Sequence, residues 1–169
     1  PQGRAINAAP EITIRRRGSV ATDASVLILN GPNLNMLGVR EPQIYGSLTL
    51  DDVEALCQEH SRRLGLEVDF RQSNHEGELV TWIQQARSEN DGIIINAGAY
   101  SHTSLAILDA LILAELPVVE VHLSNIFKRE PFRHHSHVTS VARGMICGFG
   151  PHGYVLGLDA MAQILSNRS

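Results

Sequence analysis

Asn33, Arg40 and Tyr45 lie in one stretch, NGPNLNMLGVREPQIYG at residues 30–46. Together they offer an amide, a fixed positive charge and a titratable phenol. A tyrosine ionises near pH 10, and lowering that to about 7 to 8 takes roughly 3 to 4 kcal/mol of differential stabilisation of the phenolate. A neighbouring guanidinium in a dry pocket supplies this, and Arg40 stands five residues before Tyr45. Taken singly, each reads more simply as a surface arginine or a packing tyrosine. A second set of polar groups follows far downstream: Asn96, His102, Glu120, His122, Ser124 and Arg133. Amide, imidazole, carboxylate and guanidinium groups that converge can perform general acid-base chemistry on a small polar molecule.

The elements that position these groups can be read from the pattern. Short β-rich runs at 26–31 (VLILNG), 66–72 (LEVDFRQ), 92–98 (GIIINAG), 117–123 (PVVEVHL) and 144–150 (GMICGFG) alternate with helical segments at 49–64, 76–88, 101–115 and 152–165. In the first helix Leu50, Val53, Leu56, Cys57 and Leu64 fall on one face, and Thr49 is placed to cap it. Five strands alternating with helices predict an α/β fold, a three-layer sandwich around a parallel sheet of flavodoxin-like type. Ligands of such sheets bind beyond the carboxyl ends of the strands. Strand one ends at Asn30 and leads to Asn33, Arg40 and Tyr45; strand three ends at Asn96; strand four carries Glu120 and His122, with Ser124 and Asn125 behind. Neither packing nor solubility requires so many polar groups at one sheet edge, so they mark a site.

The chain has 169 residues, 43% of them apolar, which suits one domain with a full core. Residues 26–169 read as that domain. Residues 1–25 lack a sustained apolar period and read as an extension, either a flexible arm or a foreign remnant, without the apolar core of a secretory signal. No apolar run reaches the roughly 20 residues that cross a bilayer, and a formal charge of -4 argues against nucleic acid as a partner. Cys57 and Cys147 fall on a predicted helix and strand and read as buried thiols, in keeping with a reducing cytoplasm. Lys128 is the only lysine, which leaves little scope for imine chemistry.

Several motifs fail their own tests. GFGPHG at 148–153 matches a dinucleotide fingerprint, but neither a following strand nor a ribose-binding acid comes after it, so it reads as a turn. HHSH at 134–137 has neither the spacing nor the second cluster of a zinc site, and no metal is expected. A phosphoryl-accepting receiver domain needs acids after strand one, where this chain has Asn30-Gly31, and a lysine near strand five. A flavin-binding module needs a Ser/Thr/Gly phosphate turn in its first loop, which GPNLNMLG is not. The segment at 101–115 is apolar on every side except for Asp109. Such a helix needs partners all round, so it predicts an oligomer, with an unusually deep core helix as the alternative.

Four ordered stretches, NGPNLNMLGVREPQIYG, QSNHEGELVTWI, IIINAGAYSHTSLAILDA and VEVHLSNIFKREPFRHHS, closely resemble the type II 3-dehydroquinate dehydratases, over about residues 26–165. The resemblance implies a dodecamer built from trimers that reversibly removes water from 3-dehydroquinate to give 3-dehydroshikimate, in aromatic biosynthesis or in quinate breakdown, with no metal or organic cofactor. It implies Tyr45 as the base, Arg40 as the group that lowers its pKa, and Asn33 as the residue that steadies the enolate through an ordered water. His122, partnered by Glu120, becomes the proton donor to the departing hydroxyl. Asn96, His102 and Arg133 become binders of the ring hydroxyls, the backbone N–H groups of Leu123 and Ser124 the grip on the carboxylate, and Asp109 a group reaching in from a neighbouring subunit. The rival expectation is a ligand-binding module that keeps the fold without turnover.

Overall fold

A computed structural model describes residues 23–38 and 48–167. Five parallel strands, β1 (Ala24–Asn30), β2 (Leu66–Gln72), β3 (Gly92–Asn96), β4 (Val118–His122) and β5 (Gly144–Cys147), lie in the order β2-β1-β3-β4-β5. Helices α1 (Leu50–Leu64), α2 (Glu76–Glu89), α3 (Leu105–Ala114) and α4 (His152–Ser166) cover both faces. The expected flavodoxin-like sandwich is therefore the fold.

The pleat sorts the strand residues between two cores. Val26, Ile28, Ile94, Val119 and Val121 pack with Val53 and Cys57 of α1 and Leu158 and Met161 of α4. Their neighbours Leu27, Leu29, Ile93, Ile95 and Val118 pack on the other face with Leu79 and Ile83 of α2 and Ile107 and Leu111 of α3. Both faces being covered, the strands read as continuous apolar runs, as a buried parallel sheet should. Thr49 and Asp52 form a reciprocal capping box at the start of α1, as the sequence predicts for Thr49, and Gly65 ends the helix with φ of 66°.

The structure corrects four expectations in detail. Leu56 is 37% exposed rather than on the buried face of α1, where Ser61 sits instead. Residues 98–102 form a 3-10 turn, so α3 starts only at Leu105, after Ser104 caps the Ile107 N–H. Strand β5 stops at Cys147, because Gly148 and Gly150 both take positive φ; GFGPHG is the turn it was read to be. Cys57 is buried, but Cys147 is only half-buried. Helix α3 buries Ile107, Ala110, Leu111 and Ala114 and leaves Leu105, Ile112 and Leu113 between 54% and 59% exposed in the single chain. It is therefore no deep core helix. Among the described residues no helix is long and apolar enough to cross a membrane.

Candidate active site

The carboxyl ends of β1 and β3 meet closely, and the approach depends on glycine. Asn30 and Asn96 are register partners, and the Gly31 N–H donates to the Asn96 carbonyl at 2.8 Å. A Cβ at Gly31 would stand 2.2 Å from the Ala97 carbonyl oxygen, so no other residue fits there. The chain then turns through Asn33 in the left-handed region, φ 68°, into a 3-10 turn over Leu34–Met36. Asn is among the few non-glycine residues that tolerate this. The turn is clasped from β2: Asn74 Oδ1 accepts from the Asn33 N–H at 2.9 Å and from Gln72 Nε2, which also donates to the Gly31 carbonyl. The Tyr100 hydroxyl donates to the Asn74 carbonyl at 2.9 Å and fixes the clasp.

Strand β4 contributes Glu120 and His122, two residues apart on one face of the pleat. Glu120 is fully buried and His122 is 5% exposed, and His122 Nε2 lies 2.7 Å from Glu120 Oε1. Ser136 also donates to Oε1, and Thr139 donates to Oε2. Burial pushes the Glu120 carboxyl up, but the three side-chain donors His122, Ser136 and Thr139 outweigh it and hold the group below the usual glutamate value. As an anionic acceptor Glu120 fixes Nε2 as a donor, which leaves Nδ1 as the His122 nitrogen available to a ligand.

His102, in the turn after β3, lies nearly parallel to His122, the ring centroids 6.2 Å apart. Its Nδ1 is 2.7 Å from the His135 carbonyl. A carbonyl only accepts, so Nδ1 carries hydrogen and Nε2 is free to accept. Burial lowers the His102 pKa despite this carbonyl and Glu120, with His122 and Arg133 adding to the effect, so the ring is neutral at neutral pH. Arg133 is held by Glu130, Nε to Oε2 at 3.0 Å, and Glu130 also faces the Arg129 guanidinium at 3.6 Å.

These groups surround a cavity of about 230 Å³ whose walls include Asn33, Asn96, His102, His122, Leu123, Ser124, Arg129 and Arg133. Seven of these were expected; Arg129 was not, although its place four residues before Arg133 in KREPFR was a usable signal. Ser136, Thr139 and Tyr154 are further additions, and nothing in the sequence pairs them with Glu120 or Asn96. Glu120 stands behind His122 rather than in the wall. Asp109 is exposed on α3 and does not line the cavity of its own chain. Arg40 and Tyr45 lie outside the described residues. Among the described residues no group of three or more His, Cys, Asp and Glu side chains is placed to hold a metal. In the HHSH run His135 and His137 pack ring edge to face at 4.8 Å, and His134 lies 2.9 Å from the Arg129 carbonyl.

What the arrangement can do is hold a small, oxygen-rich anion between two guanidiniums, two amides and two imidazoles, one of which has a carboxylate behind it. Comparison with known proteins places the chain in a family. The 3-dehydroquinate dehydratase of Brucella canis is 63% identical over 140 residues, covering 83% of this chain and 89% of that protein. Among solved structures, the type II dehydroquinase of Propionibacterium acnes aligns at a TM-score of 0.80 with 48% identity, over 83% of this chain and 97% of that one. The type II dehydroquinase of Butyrivibrio crossotus aligns at 0.79 with 43% identity and the same coverage. The model of the family described as dehydroquinase class II matches residues 24–162. With that match spanning the whole sheet and every wall of the cavity, the chain belongs to the class II dehydroquinase family.

Proposed function

We propose that this protein is a lyase, a type II 3-dehydroquinate dehydratase, which reversibly removes water from 3-dehydroquinate to give 3-dehydroshikimate in the shikimate pathway. The observation that carries the reading is the cavity of a class II dehydroquinase chain in which Asn33, Asn96, His102, Arg133 and the Glu120-backed His122 meet. A proton next to a ketone is weakly acidic, so the site must stabilise an enolate and supply a base and an acid. Tyr45, as a phenolate favoured by Arg40, takes the proton from the carbon next to the ketone. The C–H electron pair moves into the enolate, whose oxygen is stabilised by Asn33 through a water. When the enolate collapses to the enone, the C–O bond on the opposite face breaks, and the hydroxyl leaves as water with a proton from Nδ1 of His122, which enters this step as an imidazolium paired with Glu120 and leaves it as the imidazole with its hydrogen on Nε2.

The remaining wall residues bind. Neutral His102 and cationic Arg133 hold ring hydroxyls together with Asn96, and the backbone N–H groups of Leu123 and Ser124 face the carboxylate. The enzyme acts as a homo-oligomer, a dodecamer built from trimers, in which Asp109 of one subunit completes the site of the next. Its place on the exposed face of α3, between Leu105 and Leu113, supports this reading.

The test is ultraviolet absorbance of purified protein mixed with 3-dehydroquinate, with and without a chelator. A chelator-insensitive rise from the conjugated enone is expected in the wild type and absent in Tyr45→Phe. No rise from folded, oligomeric wild-type protein would leave a binding module instead.

A further inference from the structure

Helix α4 carries a group that the reaction above does not use. Gly153 and Gly157 let α4 approach the sheet: a Cβ at Gly157 would lie 3.3 Å from a Val121 methyl and one at Gly153 3.4 Å from another. This close approach brings Tyr154, 1% exposed, under the ends of β1 and β3. Its hydroxyl is 2.6 Å from Asn30 Oδ1 and 2.9 Å from Asn96 Nδ2. A phenylalanine would fill the same space, so the hydroxyl rather than the ring calls for explanation.

The direction of these hydrogen bonds follows from the two backbone groups at their ends. Asn30 is 3.1 Å from the Arg71 carbonyl, which can only accept, so the near atom is Nδ2 and Oδ1 faces the tyrosine. The Tyr154 hydroxyl must therefore donate to Asn30, and its lone pair accepts from Asn96 Nδ2. At the far end the Gly98 N–H, which can only donate, lies 3.3 Å from Asn96 Oδ1 and requires the same orientation. Gly98 is itself held in place by a φ of 59° and by Pro32, whose carbonyl would stand 3.2 Å from an added Cβ. Among the described residues only the Tyr154 hydroxyl takes a hydrogen from Asn96 Nδ2, which leaves the second for the cavity that Asn96 lines. Burial holds the Tyr154 phenol protonated well above its ordinary range, so the chain keeps its donor through neutral pH.

We propose that Tyr154 is a positioning residue for substrate recognition: the relay from Arg71 through Asn30 and Tyr154 orients the Asn96 carboxamide so that it meets the substrate as an N–H donor. The inference rests on the dehydratase reading and deepens it. An amide fixed this way round favours a ligand oxygen that accepts, here the lone pair of a ring hydroxyl, and disfavours a group that only donates. Without the hydroxyl, the amide keeps only the Gly98 N–H, at 3.3 Å, as the anchor of its orientation and is held less firmly against turning its oxygen to the same ligand.

The test is steady-state kinetics of wild type, Tyr154→Phe, Asn96→Ala and the double variant. Tyr154→Phe is expected to raise KM for 3-dehydroquinate about tenfold while kcat changes by less than about threefold, the pattern of lost binding that is common to ground and transition states. In the Asn96→Ala background Tyr154→Phe should raise KM no further. An unchanged KM in Tyr154→Phe, or additive effects in the double variant, overturns the inference. A wild type that does not turn over 3-dehydroquinate overturns the dehydratase reading and the inference together. Neutron diffraction from deuterated wild-type crystals keeps the proposal open to test should the variants not fold. A deuteron on Tyr154 pointing at Asn30, with Asn96 donating to Tyr154, is expected, and the reverse polarity overturns it.

Discussion

Asn33 combines a backbone demand with a chemical one, and the two can be separated. Its φ of 68° suits glycine and asparagine, whereas most other L-residues are strained there by roughly 1 to 2 kcal/mol. Asn33→Gly is expected to keep wild-type stability to within about 0.5 kcal/mol, and Asn33→Ala to lose about 1 kcal/mol, as urea denaturation at fixed protein concentration will show. Both should lose turnover by about a hundredfold if the side chain steadies the enolate. Turnover retained in Asn33→Gly would reduce its role to the turn. Glu120 makes a second residue-level prediction, this time in pH. Its folded pKa lies below the unfolded value, so its charge stabilises the fold above about pH 4.3 and that stability is lost as pH falls through the lower folded value. Removing the donors in Ser136→Ala/Thr139→Ala should bring the loss to a higher pH and cost about 1 to 3 kcal/mol at pH 7. Denaturation midpoints followed from pH 7 to pH 3 will show whether the two curves converge at the acid end, as this account requires.

Among the elements, the junction of β1 with β3 bears most directly on the site, because Asn33 and Asn96 are placed by it. An added methyl at Gly31 would press on backbone, the Ala97 carbonyl, which no rotamer change can relieve. Gly31→Ala is therefore expected to cost about 3 kcal/mol and to weaken substrate binding, since the strand ends must part; a thermal midpoint within a degree or two of wild type would contradict it. The regular elements were legible in the sequence because their signals are local: the VLIL, GIII and PVVEV runs are apolar throughout, and Thr49 is followed by the acid that closes its capping box. Polar residues at strand ends likewise announced Asn96, Glu120 and His122. Leu56 was misplaced because a helical face says nothing about where cover stops, and His102 was assigned to helix because SHTSL carries no mark that the helix waits for Ser104. Tyr154 was illegible for a different reason. It touches Asn30 across 124 positions of chain, and that contact exists only because the strand order sets β1 beside β3, on which α4 packs.

At the scale of the whole molecule, α3 presents an unfinished surface. One side supplies four residues to the core, while Leu105, Ile112 and Leu113 remain mostly in water in the single chain, with Asp109 exposed among them. Burying a leucine or isoleucine side chain contributes about 1.5 to 3 kcal/mol, so three of them on one helix are a substantial incentive to associate. On the proposed reading, in which Asp109 completes the site of a neighbouring subunit, the spacing ties this surface to function as well. Leu105, Asp109 and Leu113 follow at intervals of four, so a subunit that covers the two leucines also receives the carboxylate between them. Assembly and catalysis should then fail together. Leu105→Glu/Leu113→Glu, which leaves every wall residue of the cavity in place, is expected to sediment as a smaller species and to lose at least about a hundredfold in kcat/KM, with its far-ultraviolet circular dichroism unchanged. Asp109→Ala should lose activity to a similar degree while sedimenting as the wild type does. Full activity in the dissociated double variant would mean that one chain holds a complete site, and Asp109 would then be only a surface charge on an assembly face.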